Sequence, residues 1–542
     1  MKTVSEDQSV QFRGDGSWGD MTLDGLFRKT AQSHPDRLAI SDAPDKSQWT
    51  GGEPRSLSYA QADKEIDRLA AFYHAVGLQA DHVIGIQAPN TVDTVIAFLA
   101  ALRADLIVSP LPLHWRQKNV LTALNSIGAK GFIAADRVET RMVGSAARDV
   151  AADLFSLRFV FGLGKDVPDG LIELEPMLAE MGDELVLNES ERADPADHTA
   201  TISWSRCSGE TVPVTRCHNH WTAAAQVNQE HMPLADGANL LVPYSLSGLT
   251  GLGAGLVPWL LSSGSLYLHH PTSLNRLAKH ANDVNADYVL TPGPLAPMLD
   301  KGLKNADTLI AAAWNISAPP PQPLKSRHKI IDVHIADEFA LVARPRGDNE
   351  NPEVVPLGKL KGPSGHESGS ALLDLDISQR DDETPSTLLV KGAAAPDLRW
   401  RTIEADKCFS RNSDGYIETG IPVEIVDNGV AGFGIPGMFA PGGGDLDAID
   451  SLYLSYPGID DAAAFLVEDD ILGARLYAAL VPQRGTVPDA KAFFAYLDAE
   501  GVDLAHIPYR VLLLQSLPRG LDGKVDRDRL TLRTQRVTAQ VA

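Results

Sequence analysis

The feature that most constrains this chain is the alternation of two periodicities through its first two hundred residues. "SYAQADKEIDRLAAFYHAVGL" carries apolar residues at Ala62, Ile66, Leu69, Ala70 and Tyr73, the spacing of one helix face. "HVIGIQAPN" then reads as a short buried strand ending in a turn, "TVDTVIAFLAALRADL" as a second helix, and "IVSPLP" and "GAKGFIAAD" as two more strands. Strands alternating with helices of ten or more residues predict a mostly parallel, helix-covered sheet, so the fold class is α/β.

The pattern continues through "ADYVLTPG" and "HKIIDVHIADEFALVA", which read as strands, then shifts to short strands and turns between about Pro356 and Val426. "GVAGFGIPGMFAPGGG", Gly429 to Gly444, is rich in glycine and proline and reads as a linker or hinge. Beyond it the pattern predicts a small α+β unit. The expected division is a large N-terminal domain over 1–430, a hinge over 431–444 and a small C-terminal domain over 445–542. At 542 residues two or more cores are expected in any case.

A formal charge of −23 argues against a nucleic-acid partner or an anionic membrane surface, both of which need a basic face. Leu240 to Leu268 carries no charge and is long enough to span a bilayer. Pro243, Pro258 and scattered glycine and serine favour a buried helix between two strands instead. Three cysteines, Cys207, Cys217 and Cys408, cannot make a disulfide framework and suit a reducing compartment. The N-terminus has no apolar core of a secretory signal. The expected location is cytoplasmic.

"SWSRCSGETVPVTRCHNHW", Ser203 to Trp221, begins like a phosphate-cradling loop but holds no lysine between Gly209 and Arg216. Hydroxyls and backbone N–H groups in a glycine-rich turn can donate to phosphate oxygens. Glu210 would bring negative charge close to any phosphate bound there. A metal site on Cys207, Cys217, His218 and His220 is the weaker reading, because the spacing matches no zinc module with paired ligands on a turn.

Taken with "LFRKTAQSHPDRLAI" near the start and "LPRGLDGKVDRDRL" near the end, this layout resembles the acyl-adenylate-forming superfamily, which holds acyl- and aryl-CoA ligases, peptide-synthetase adenylation domains and luciferases. The resemblance covers nearly the whole chain. It implies ATP-dependent activation of a carboxylate to an acyl-AMP, followed by transfer to a thiol such as coenzyme A, with Mg²⁺ on the phosphates. It also implies a site enclosed by a large and a small domain.

Carried across residue by residue, the family's S-G-T-T-G-x-P-K-G loop falls on Ser208, Gly209, Thr211 and Pro213, with Arg216 and His218 after it. The loop is about one residue short, and Val212 and Val214 flank the proline where polar and cationic groups belong. The Y-G-x-T-E segment falls on His334 to Glu338, with His334 for the aromatic, Asp337 for the hydroxyl residue and Glu338 as the Mg²⁺ ligand. Asp337 and Glu338 are both hard oxygen donors suited to that ion. Ala318 and Pro319 match the G-A-P turn lining the acyl and adenine pockets, and Leu246 and Gly248 fall in the acyl-pocket segment. Thr419 and Gly420 match T-G-D, but Ile421 stands for the ribose-binding aspartate. The hinge arginine is replaced at Ile435 or Pro436.

Lys524 matches the C-terminal lysine that reaches the carboxylate and α-phosphate, where it would stabilise developing charge. With loop lysine, ribose aspartate and hinge arginine all absent, the expectation is a relative whose carboxylate activation is weak or lost, working with a protein partner or as a homodimer. The alternative is an active ligase for an apolar fatty or aromatic acid. Restoring Ile421→Asp together with a loop lysine is the constructive test. ATP, Mg²⁺ and coenzyme A are the cofactors if the chain is active.

Overall fold

The computed structural model describes all residues except 181–191, 208–209, 315–320, 349, 363–370, 379–385, 401–408, 434–445, 470–472, 487–488, 503–505, 521–522 and 542. The chain divides into two compact units, one holding Met1–Asn315 and Pro321–Pro436, the other Gly437–Ala542.

In the large unit, two mostly parallel sheets grow from the alternation seen in the sequence. The first has the strand order 172–173, 159–163, 131–135, 83–87, 107–110, 199–207, 210–217, parallel except for its last pair. The second runs 340–345, 330–336, 309–314, 288–292, 239–242, 265–268, 38–41, 56–58, with an antiparallel strand at each edge. The helix Tyr59–Ala75 starts at Ser58, whose hydroxyl accepts from Gln61 N–H while the Gln61 side chain accepts from Ser58 N–H, a reciprocal cap. It buries the five apolar residues picked out by their spacing. The helix Val92–Arg103 is buried along its whole length except at Asp93. An all-apolar surface of this kind belongs between layers rather than on the outside.

The uncharged stretch Leu240–Leu268 is the strand Asn239–Val242, a helix and the strand Ser265–Leu268. Its helix changes from α to π over Leu252–Leu256 just before Pro258. Proline has no N–H to donate to the preceding turn, and a π-bulge is one way for a helix to absorb that. Among the described residues no helix is long and apolar enough to cross a membrane.

From Val355 to Phe433 the large unit adds a six-stranded antiparallel sheet ordered 355–356, 429–433, 417–426, 387–391, 373–378, 358–360. In the small unit the hairpin 459–469 and 473–482 is joined by the parallel strand 510–513. The whole is therefore α/β with a large N-terminal domain of parallel-rich sheets and a smaller C-terminal domain.

Candidate active site

The residues flanking the expected phosphate loop are two paired antiparallel strands. Strands Thr199–Cys207 and Glu210–Cys217 pair in register out to Cys207 opposite Glu210. Ser208 and Gly209, the two residues between them, lie outside the described residues. Main-chain groups that a phosphate loop leaves open are here committed to a ladder, up to and including Thr211 opposite Arg206. Val212 and Val214 are buried within the strand.

At the inner end of this hairpin lies a compact charged cluster. Arg216 is 1% exposed and sits with its guanidinium 5.0 Å above the Trp221 ring, a favourable cation–π placement. Its Nη1 donates to Glu338 Oε2 at 3.4 Å and its Nη2 to the Glu338 main-chain carbonyl. Burial lowers the Arg216 pKa to about 10 despite Glu338 and Asp337 beside it. Glu338 is pushed up to about 7, chiefly by the same loss of water, with Arg216 opposing the rise.

The other carboxylate oxygen of Glu338 accepts from Leu249 N–H at 3.0 Å. A Cβ at Gly248 would stand 2.6 Å from that oxygen, so a larger residue there would press the Glu338 carboxylate away from the Leu249 N–H. Leu246, two residues before it, is buried apolar core.

Asp337 and Glu338 occupy the turn between strands Ile330–Ala336 and Ala340–Pro345. Asp337 takes a left-handed backbone, φ +45°, which aspartate tolerates better than most side chains. The turn presents Asp337 to Ser205, whose hydroxyl donates to Oδ2. Burial raises the Asp337 pKa, with Ser205, Arg206 and Arg216 opposing. Thr201, Ser203 and Ser205 lie two residues apart on one strand face, and Thr201 accepts from Trp221 Nε1–H at 3.0 Å. Three hydroxyls alternating through a buried strand are the sequence signal for this face, while Leu249 and Trp221 reach it from helices.

The cluster thus brings Arg216, Asp337, Glu338 and Gly248 together. It does not gather all of the residues carried across by resemblance. His334, on the adjoining strand, is buried with neither ring nitrogen hydrogen-bonded among the described residues, and packs edge-on to Phe433 at 6.3 Å. Burial holds its pKa down to about 4, so it is neutral. Thr419 and Ile421 lie within the strand Ile417–Val426 and are fully buried. The Thr419 hydroxyl donates to Leu388 O at 2.7 Å and accepts from Ile421 N–H at 3.1 Å, so neither residue offers an open polar group.

A second threonine with acids following it, Thr402 with Glu404 and Asp406, occurs upstream in the sequence but lies outside the described residues. So do Ser208, Gly209, Ala318, Pro319, Ile435 and Pro436. His218 and His220 are spent on main-chain donors: Leu23 N–H reaches His218 Nδ1 at 3.1 Å and Cys217 N–H reaches His220 Nδ1 at 3.0 Å. Lys524 belongs to the small unit, on an exposed turn closed by Gly520 N–H to Lys524 O at 2.9 Å and bounded by the Arg519–Val525 bridge.

These sheets, with a charged turn set against a hairpin, define a chain built like the adenylate-forming enzymes. The chain belongs to the AMP-binding enzyme family, whose pattern it matches over residues 27–308, more than half its length. It is 26% identical to the salicyl-AMP ligase / salicyl-S-ArCP synthetase of Mycobacterium tuberculosis, over 96% of this chain and 92% of that one. It is 20% identical to the medium-chain fatty-acid–CoA ligase of Escherichia coli over 97% and 92%. Among solved structures, the amide bond synthetase McbA from Marinactinospora thermotolerans superposes with a TM-score of 0.68 at 14% identity, covering 94% of this chain and 99% of that one. Apo MbtA from Mycobacterium smegmatis gives 0.62 at 20% identity, covering 98% of each.

Proposed function

We propose that this chain is a member of the adenylate-forming synthetases in which ATP-dependent carboxylate activation is weak or lost, and that it acts through a bound carboxylate or apolar ligand, or through a protein partner or second copy, in the cytoplasm. The observation that carries the reading is the Arg216–Glu338 pair. Glu338, the expected Mg²⁺ ligand, already has an arginine on one oxygen and a main-chain N–H on the other. Recruiting it to a metal means giving up bonds to a buried charge, at about 1–3 kcal/mol each. The residues around it do not otherwise make up a lost loop lysine, since Arg216 is turned inward onto Glu338.

A second reading, an active acid–CoA ligase using ATP, Mg²⁺ and coenzyme A, is supported by Lys524 in its exposed turn and by the named activities of the two relatives above. In that case Glu338 and Asp337 would hold Mg²⁺, Thr211 would meet phosphate, Leu246 and Gly248 would border the acid, and Lys524 would neutralise charge at the carboxylate. Salicylate and a medium-chain fatty acid are the first acids to try on that reading.

Calorimetric titration with Mg-ATP separates the two without a guess at the acid. The expected result is no saturable heat and no thermal shift at millimolar ATP. Binding with Kd near or below ~1 mM, about −4 kcal/mol, overturns it in favour of the ligase.

A further inference from the structure

Within the large unit, a cavity of about 380 Å³ lies against the N-terminal helix Glu6–Gly14, the antiparallel sheet and the first turn of the helix His218–Asn228. None of Arg216, Asp337, Glu338 or Thr419 is among its lining residues. Its size falls in the range of small-molecule sites.

Among the described residues three basic and three acidic side chains line it, but they are not equally spent. Asp397 is taken by Arg399, whose main-chain N–H and Nη2 both reach it at 3.1 Å. Lys391 stands 3.9 Å from Asp374 and 3.8 Å over the Tyr416 ring. What is left over is positive. Among the described residues Arg411 donates to the main-chain carbonyls of Gly415, at 3.1 Å, and Pro396, at 3.3 Å, with the Asp397 carboxylate acting on it through space. Among the described residues it meets no carboxylate at ion-pair distance, and neither does Lys359. Against these two cations stands one lining carboxylate without an ion pair among the described residues, Asp414, at the exposed rim.

A second, independent feature points the same way. His220 is 3% exposed yet lines the cavity. Its Nδ1 accepts from Cys217 N–H, which fixes the neutral tautomer and leaves the proton on Nε2. That N–H finds no acceptor among the described residues. The ring stands edge-on to Trp18 at 5.1 Å and borders the cavity, so an acceptor bound there can take this N–H. Gln8 adds another donor, because its carboxamide oxygen is taken by the Ser5 hydroxyl at 3.0 Å and its NH₂ is open.

We propose that this cavity binds a small organic anion, a carboxylate or phosphate on a compact apolar body. Arg411 and Lys359 pair with the anionic head, and His220 Nε2–H and the Gln8 amide donate to its oxygens. Phe12, Val4 and Ala395 cover the apolar part. The planar guanidinium suits either head group, since both present two oxygens to a fork of N–H donors.

Titration of the full chain with benzoate, phenyl phosphate and inorganic phosphate tests this. Saturable binding of benzoate or phenyl phosphate is expected, at Kd near or below ~1 mM, with Arg411→Gln and Lys359→Gln each weakening it tenfold or more. Lys359 is exposed, so its variant keeps the fold; a melting temperature equal to wild type confirms that for both. Binding of benzoate alone assigns a carboxylate, and binding of the two phosphates alone assigns a phosphate. Absence of saturable binding by any of the three overturns the proposal, as does binding unchanged in both variants.

Discussion

Glu338 carries the sharpest consequence at the scale of a single residue. Its folded pKa, pushed up to about 7 by burial, lies above the ordinary glutamate value of about 4.3. The folded chain therefore holds this proton over a pH window in which the unfolded chain has released it, and stability falls as pH rises through the window. The difference in unfolding free energy between wild type and Glu338→Gln is expected to decline between about pH 4.5 and 7, by on the order of 3 kcal/mol, then level off. The buried neutral histidines His218 and His220, held down to about 3 by burial, tilt stability the other way below about pH 6.5. They are common to both proteins and cancel in the difference. Denaturant melts across pH give it directly, and a flat or rising difference would mean that Arg216 keeps Glu338 ionised. Of this cluster, Arg216 and Glu338 were legible in the sequence through their place in recognisable segments. The Leu249 N–H and the Ser205 hydroxyl were not. Their bonds join residues 89 and 132 positions apart, and only the sheet and turn geometry brings them together.

The element that most changes the sequence reading is the hairpin of strands Thr199–Cys207 and Glu210–Cys217. The letters S-G-E-T-V-P-V suggest a shortened phosphate loop, yet Ser203, Ser205, Val212 and Val214 face one another across a ladder in register. The same holds for the strand Ile417–Val426, where Thr419-Gly420-Ile421 read as a damaged ribose contact but Ile421 is 0% exposed in the antiparallel sheet. Short motifs show residue order and not which face of a strand a side chain takes. The constructive repair suggested by the sequence therefore works against the fold. Val214→Lys with Ile421→Asp introduces two charges into buried apolar positions that offer them no partner. The double variant is expected to be unfolded at room temperature by circular dichroism rather than active. Thr211→Lys, on the more open end of the hairpin, is expected to melt close to wild type. A folded double variant with ATP–pyrophosphate exchange would contradict this and restore the ribose reading of Ile421. The longer periodic elements misled nowhere, because a face of five apolar residues such as that of Tyr59–Ala75 has one way to be buried.

For the molecule as a whole, the stretch from Gly429 reads in sequence as a linker, yet Gly429–Phe433 is a strand of the large unit's antiparallel sheet, and the small unit begins at Gly437. What the sequence did not give is how that unit closes its own core. Its hairpin buries both faces: Ala464, Ala478 and Leu480 lie against the helices Leu446–Leu454 and Ala490–Ala499, while Ala463, Phe465 and Ala479 lie with Leu517 and Leu530 on the other side. The large unit has its own clusters, centred on residues such as Leu240 and Phe98. A chain with separate cores is expected to unfold in separate steps. Leu480→Ala removes a fully buried side chain at a cost of about 2–5 kcal/mol. In differential scanning calorimetry it should lower one transition and leave the other in place, whereas Leu240→Ala should do the reverse. Lys524→Ala, on an exposed turn of the small unit, should move neither. On the active-ligase reading proposed above, a loss of carboxylate activation in that variant would then not be a loss of fold. If Leu480→Ala instead shifts a single transition shared by the whole chain, the two units unfold as one, and Lys524 can no longer be tested independently of the stability of the large unit.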